Sequence, residues 1–218
     1  MNNKSLKVND LKCVINEFFK EIEKDKDGRC LSFEYIYKAF DEYCKSPNDD
    51  LLDITSLHLY AYLSSWGMLR NSFLLYKSYT FNNKLLQNLK EYKNNNKEYD
   101  AIKIEEKIKN FYIGKTYHKD NENQTIKSIT DTLVTKIIMG TFGIVPAYDK
   151  YFKVTAKNLG ITQSFGAKSI QQLKKFISTN ATEIQEIKKN IYVKRGIDYS
   201  EMKIVDMYFW QKGYDMNK

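Results

Sequence analysis

Along most of this chain, apolar residues recur at the i, i+3, i+4 spacing of an α-helix, and no segment shows a sustained period-2 alternation. Leu11, Val14, Ile15, Phe18, Phe19 and Ile22 set the pattern, with Asn9 or Asp10 placed to cap the start and Gly28 to stop the helix. Phe33, Ile36, Tyr37, Phe40 and Cys44 repeat it after Ser32. After a break at Ser46–Asp50, a long helical region is expected from about Leu51 to Tyr79, kinked near Ser64–Gly67. Two more polar helices follow over 81–92 and 98–113, and His118 to Gln124 reads as a loop. Ile126, Ile129, Leu133, Val134, Ile137 and Ile138 mark a strong amphipathic helix that ends at Gly140-Thr141-Phe142-Gly143. Pro146 is placed to start the next helix, with Gly160 as its stop. Helices near 168–178, 182–193 and 201–212 close the chain. With only two prolines and nine glycines, turn chemistry is too sparse for a β-sandwich or barrel. The expected fold is all-α: one compact multi-helix domain over 1–218, with sub-lobes 1–125 and 126–218 and a helix-hairpin-helix-like element near 126–158.

Charge narrows the function classes. The chain carries 35 basic and 27 acidic residues, net +8, and the excess concentrates late: residues 151–218 hold twelve basic and six acidic groups. Such a region attracts nucleic-acid phosphates or an acidic partner, or is a solvated lysine surface. Cys13, Cys30 and Cys44 are odd in number and contain no CxxC pair, which points to a reducing cytoplasm and to no metal site or cofactor. The N-terminus MNNKSLKVNDLK has no apolar leader, and the most apolar stretch, Ile54 to Leu75, is interrupted by His58, Arg70 and Asn71. No membrane span is expected.

Several residues stand out. On a regular helix, Arg70 shares an arc with Leu59, Leu63, Trp66, Phe73 and Leu74. A guanidinium cannot lose its charge, so it must pair, reach solvent or face a cleft. Asp206, beside the apolar arc of Val205 and Phe209, and Asp149 are the expected partners. Trp66, Tyr148 and Trp210 are candidates to stack a ligand in the same cleft. In Thr132–Phe152, the glycines Gly140 and Gly143 before Pro146 could let a nucleic-acid backbone approach a helix N-terminus. Lys150, Lys153, Lys157 and Lys168 would then contact phosphates. Lys136 and Asp149 are the candidate catalytic residues. Each also has a structural reading: Lys136 as a snorkelling side chain, Asp149 as an acid complementing a helix dipole.

Three blocks, LYAYLSSWGMLRNSFLL (Leu59 to Leu75), TKIIMGTFGIVPAYDKYF (Thr135 to Phe152) and MKIVDMYFW (Met202 to Trp210), together resemble an uncharacterised family of bacterial and phage-associated helical proteins. That family is distantly similar to the 8-oxoguanine DNA glycosylase type of helix-hairpin-helix fold. The resemblance implies DNA binding, base flipping and a lysine–aspartate pair around the hairpin. Here the glycines are three apart rather than two, and Lys136 and Asp149 are closer in sequence than that arrangement expects. A non-catalytic relative and an enzyme both stay open. The expected function is nucleic-acid binding on a glycosylase-like scaffold. The alternative is a module that binds another protein, as a regulator or inhibitor in a phage-defence or toxin–antitoxin context.

Overall fold

Two helices that are buried along most of their length organise this protein, one in each unit. The computed structural model describes residues 6–25 and 27–218; Met1–Ser5, part of the stretch read above for an apolar leader, lie outside the described residues. The protein is mostly helical, with ten α-helices and one two-stranded sheet among the described residues. Its contacts divide it into two units, one made of the chain up to Gly28 with Gly143–Lys218, the other of Arg29–Phe142.

The first unit holds α1 (Leu11–Lys24), α7 (Lys150–Asn158), α8 (Ala167–Thr179), α9 (Ala181–Arg195) and α10 (Glu201–Asp215). The central helix is α10, which packs against α1, α7, α8 and α9. Met202, Ile204, Val205, Met207, Tyr208 and Phe209 are all buried along it. Phe209 stacks on Phe152 at 5.2 Å and meets Phe176 edge-on at 5.2 Å. Thr155 on α7 donates its hydroxyl to the Phe209 carbonyl at 2.7 Å. Gly213 allows the closest approach, because a Cβ there would collide with the Tyr151 carbonyl oxygen of α7.

In the second unit are α2 (Ser32–Lys45), α3 (Asp49–Ser65), α4 (Asn83–Asn95), α5 (Ala101–Tyr112), β1 (Thr116–Lys119), β2 (Glu122–Thr125) and α6 (Asp131–Thr141). Here α6 is central, packed against α2, α3 and α5, and every residue from Leu133 to Thr141 is buried. The Thr135 and Thr141 hydroxyls bond back to the carbonyls of Asp131 and Ile137, each at 2.7 Å, so burying them leaves no donor unmet.

Three expectations are corrected. Helix α3 stops at Ser65 instead of running on towards Tyr79. Gly67 takes the left-handed conformation (φ 74°), Met68 N–H bonds the Leu63 carbonyl at 2.8 Å and Gly67 N–H bonds the Ser64 carbonyl at 2.9 Å. This is a Schellman C-cap, which ends a helix rather than kinking it. Residues 118–124, expected as a loop, belong to a β-hairpin whose two-residue turn is Asp120-Asn121, both with positive φ (51° and 65°). Pro146 does not open a helix: α7 begins at Lys150, capped by the Asp149 side chain.

Two predictions follow from the α10 packing. Gly213→Ala adds about 1 kcal/mol of helix propensity but drives a methyl into a backbone carbonyl, and overpacking of this kind costs about 1–3 kcal/mol or more. The variant should therefore melt below wild type. At the start of α1, Asp10 accepts hydrogen bonds from Lys212 and Tyr208 of α10, at 2.7 and 2.8 Å. Burial pushes the Asp10 carboxyl up, but these two bonds outweigh it and hold it below its ordinary value of 3.8. Its contribution is therefore present at neutral pH and lost as pH falls through that lowered value. Asp10→Asn should lower the melting temperature at pH 7, by about 1 kcal/mol or less for so exposed a pair, and the gap to wild type should close on acidification below about pH 4.

Candidate functional site

Arg70 is not buried. Because α3 ends at Ser65, the arc of Leu59, Leu63, Trp66 and Arg70 is broken, and the guanidinium lies exposed with no ion pair among the described residues. Its expected partners are engaged elsewhere. Asp206 pairs with Lys203 at 2.8 Å within α10 and accepts the Ala147 N–H at 2.9 Å. That pair is itself buried, with side-chain exposures of 7% and 13%. Asp149 caps α7, its Oδ1 accepting from the N–H groups of Tyr151 and Phe152, each at 3.1 Å.

Arg70 does face a cleft. The 67–73 loop, the end of β2 and the segment leading into α6 enclose about 860 Å³ within the second unit. Phe73 and Tyr117 line its walls, and their ring centroids are 6.3 Å apart. Tyr117 donates its hydroxyl to Gln124 across the hairpin at 2.8 Å, which sets the ring's orientation. Lys127 is the other cation of the lining, and no carboxylate lines the cleft. Sequence reasoning placed Phe73 beside Arg70 but missed Lys127 and Tyr117, because only the hairpin brings residues near 125 beside residues near 70.

The remaining candidates fall into two groups. Trp66 and Lys136 are in the second unit, where the Lys136 Nζ sits 4.7 Å from the Trp66 ring centroid. Lys136 is 3% exposed. Tyr148, Asp149, Asp206 and Trp210 are in the first unit. Tyr148 is fully buried, its hydroxyl paired with Ser169 at 2.8 Å and its ring packed on Phe152, so it is not a stacking platform. Trp210 is half-buried among Phe18, Tyr151 and Tyr214, stacking on Tyr214 at 5.2 Å.

The two glycines are also placed differently from expectation. Gly140 lies inside α6, where a Cβ would sit 3.1 Å from Tyr62 and 3.2 Å from Ile36; it serves helix packing and does not face solvent. Gly143 is buried and its carbonyl accepts the Ser200 hydroxyl. Residues 142–149 form a loop between α6 and α7 rather than a tight hairpin.

The lysines give the clearer surface. From Lys150 to Thr182 the sequence holds six lysines and no aspartate or glutamate. Lys150, Lys153 and Lys157 fall within one arc of α7, and Lys168 and Lys175 share a face of α8. All six, including Lys174, are exposed or, for Lys153, half-buried, and none is ion-paired among the described residues. Lys174 and Lys175 were not singled out from sequence, although the acid-free run was there to be read.

No group of histidines, cysteines or acids that could hold a metal occurs among the described residues. Burial pushes the Cys44 thiol up to about 11, so it stays protonated and unreactive at neutral pH. No described helix is long and apolar enough to cross a membrane. Comparison of the chain with protein-family models, curated proteins and solved structures finds no match.

The contrast between the two charged positions is testable. Asp206→Ala removes the carboxylate facing buried Lys203 and the acceptor of the Ala147 N–H, and should destabilise by about 3 kcal/mol. Arg70→Ala should change stability by less than about 0.5 kcal/mol. Paired urea denaturation curves measure both.

Proposed function

We propose that the protein binds nucleic acid through the lysines of α7 and α8, contacting the phosphate backbone without reading bases. The observation that carries this reading is the run of six lysines, five exposed and Lys153 half-buried, with no acid among them. Lysines interleaved with acids largely neutralise one another, whereas an acid-free set keeps its potential and releases counterions when it meets a polyanion. The aromatic residues of α7 and α8, Tyr151, Phe152 and Phe176, are taken up in packing, which argues against base stacking there. The resemblance of three sequence blocks to an uncharacterised helical family, itself distantly similar to helix-hairpin-helix glycosylases, is what suggests nucleic acid as the polyanion. Binding does not depend on the glycines, and no bond-breaking step is assigned to Lys136 or Asp149.

The competing occupant of the same lysines is an acidic protein. Duplex DNA titrated over a range of salt concentrations separates the two, with polyglutamate as the protein-like probe. Binding to DNA should weaken steeply with salt. The variant K153Q/K157Q/K168Q should reduce the slope of log K against log salt by about 3, close to 0.9 per lost phosphate contact. Equal DNA binding by wild type and variant, or a preference for polyglutamate, would overturn the reading.

A further inference from the structure

The cleft beside Arg70 belongs to the unit without the α7–α8 lysines, and it has a chemistry of its own. We propose that it binds a nucleoside phosphate, with Arg70 and Lys127 taking the phosphate and the Phe73 and Tyr117 rings taking the base. This does not rest on nucleic-acid binding by α7 and α8.

Size, charge and shape each bear on the ligand. At about 860 Å³ the cleft lies within the range of small-molecule sites. Its charged lining is wholly cationic, and both cations are exposed and without an ion pair among the described residues. Asp131, in the first turn of α6, does not line it. A site for a cation would show the reverse, and a neutral sugar would need neither charge. An arginine fork matches two phosphate oxygens at once, and a lysine adds a point charge. Phe73 packs on Tyr112 at 5.2 Å and Tyr117 on Tyr76 at 5.8 Å, and both rings also line the cleft, where they offer a base an apolar surface that an inorganic anion would not use. Hydroxyl and amide groups, Ser128 and Asn123 among them, complete the rim and suit a ribose.

The cleft walls are held by structure rather than left to mobile side chains. The Schellman cap at Gly67 starts the Arg70 loop, and Asn71 in the left-handed region (φ 54°) turns it back. On the opposite wall the hairpin ladder is continued by Ile126 N–H, which bonds the Lys115 carbonyl at 2.8 Å. Arg70 and Tyr117 are thus carried on two independently braced segments, the form of preorganisation that limits the entropy lost on binding.

The same phosphate-and-base chemistry is found at the end of a nucleic-acid strand, so the experiment has arms for both. Adenosine monophosphate, adenosine, inorganic phosphate and a 5′-phosphorylated single-stranded oligonucleotide are titrated by calorimetry against the full chain, R70Q, Y117L and K153Q/K157Q/K168Q. The expected result is one saturable site for adenosine monophosphate. R70Q should weaken it at least about tenfold, a change of about 1.4 kcal/mol, with its melting temperature unchanged. Y117L should weaken the nucleotide but not inorganic phosphate, and the triple lysine variant should bind as wild type. No saturation by about 1 mM nucleotide, equal binding by R70Q, or full competition by inorganic phosphate alone would overturn the proposal. So would an oligonucleotide end that binds where the free nucleotide does not. Loss of DNA binding in the triple lysine variant with the nucleotide site intact would separate this site from the α7–α8 lysines.

Discussion

Each unit is built around one helix that its neighbours cover along most of its length. In α6 nine consecutive residues are buried, and in α10 the stretch from Met202 to Val205 is followed by Met207, Tyr208 and Phe209. Such a helix satisfies its own backbone but contributes stability only when neighbours surround it, so the other helices are arranged by the need to cover it. That need explains the small residues at the tightest crossings. Gly213 lets α10 meet α7, and Gly140 lets α6 meet the side chains of Tyr62 and Ile36. It also explains why buried hydroxyls on α6, and on α7 where it meets α10, bond to carbonyls instead of reaching for solvent.

Charge is handled differently inside and outside. The buried pair Lys203–Asp206 is local to α10, and its carboxylate also takes the Ala147 N–H, so it anchors the loop ahead of α7. A pair of this kind is strained by desolvation, and its role is to hold a segment in register rather than to add much stability. On the surface some cations pair with acids, as Lys45 does with Asp41 and Lys109 with Glu105. The α7–α8 lysines and the cleft cations Arg70 and Lys127 form no ion pair among the described residues.

The long amphipathic helices were legible because their evidence is local. Leu11 to Ile22 and Phe33 to Cys44 each show their apolar stripe within a few turns of chain, and the structure has helices there, whereas the stripe expected from Ile126 to Ile138 becomes a helix only from Asp131 and is buried all round. The misreadings share a cause. Ser64 to Leu75 kept a helical pattern of apolar residues through a glycine cap, so Arg70 was assigned to a buried arc that does not exist. The hairpin at residues 116–125 was hidden because four-residue polar strands carry no alternation strong enough to read. Pro146 suggested a helix start, whereas the Asp149 side chain supplies the cap three residues later.

By itself the sequence determined the helical class, the approximate helix positions and the placing of positive charge in the last third. These depend on residue spacing and composition, which are properties of the chain. Only the tertiary structure decided which helices are central, that Asp206 belongs to Lys203 and not to Arg70, and that Arg70, Phe73, Tyr117 and Lys127 line one cleft. Those outcomes depend on long-range packing, in which a helix end or a hairpin turn brings together residues some fifty positions apart, and no local pattern records them.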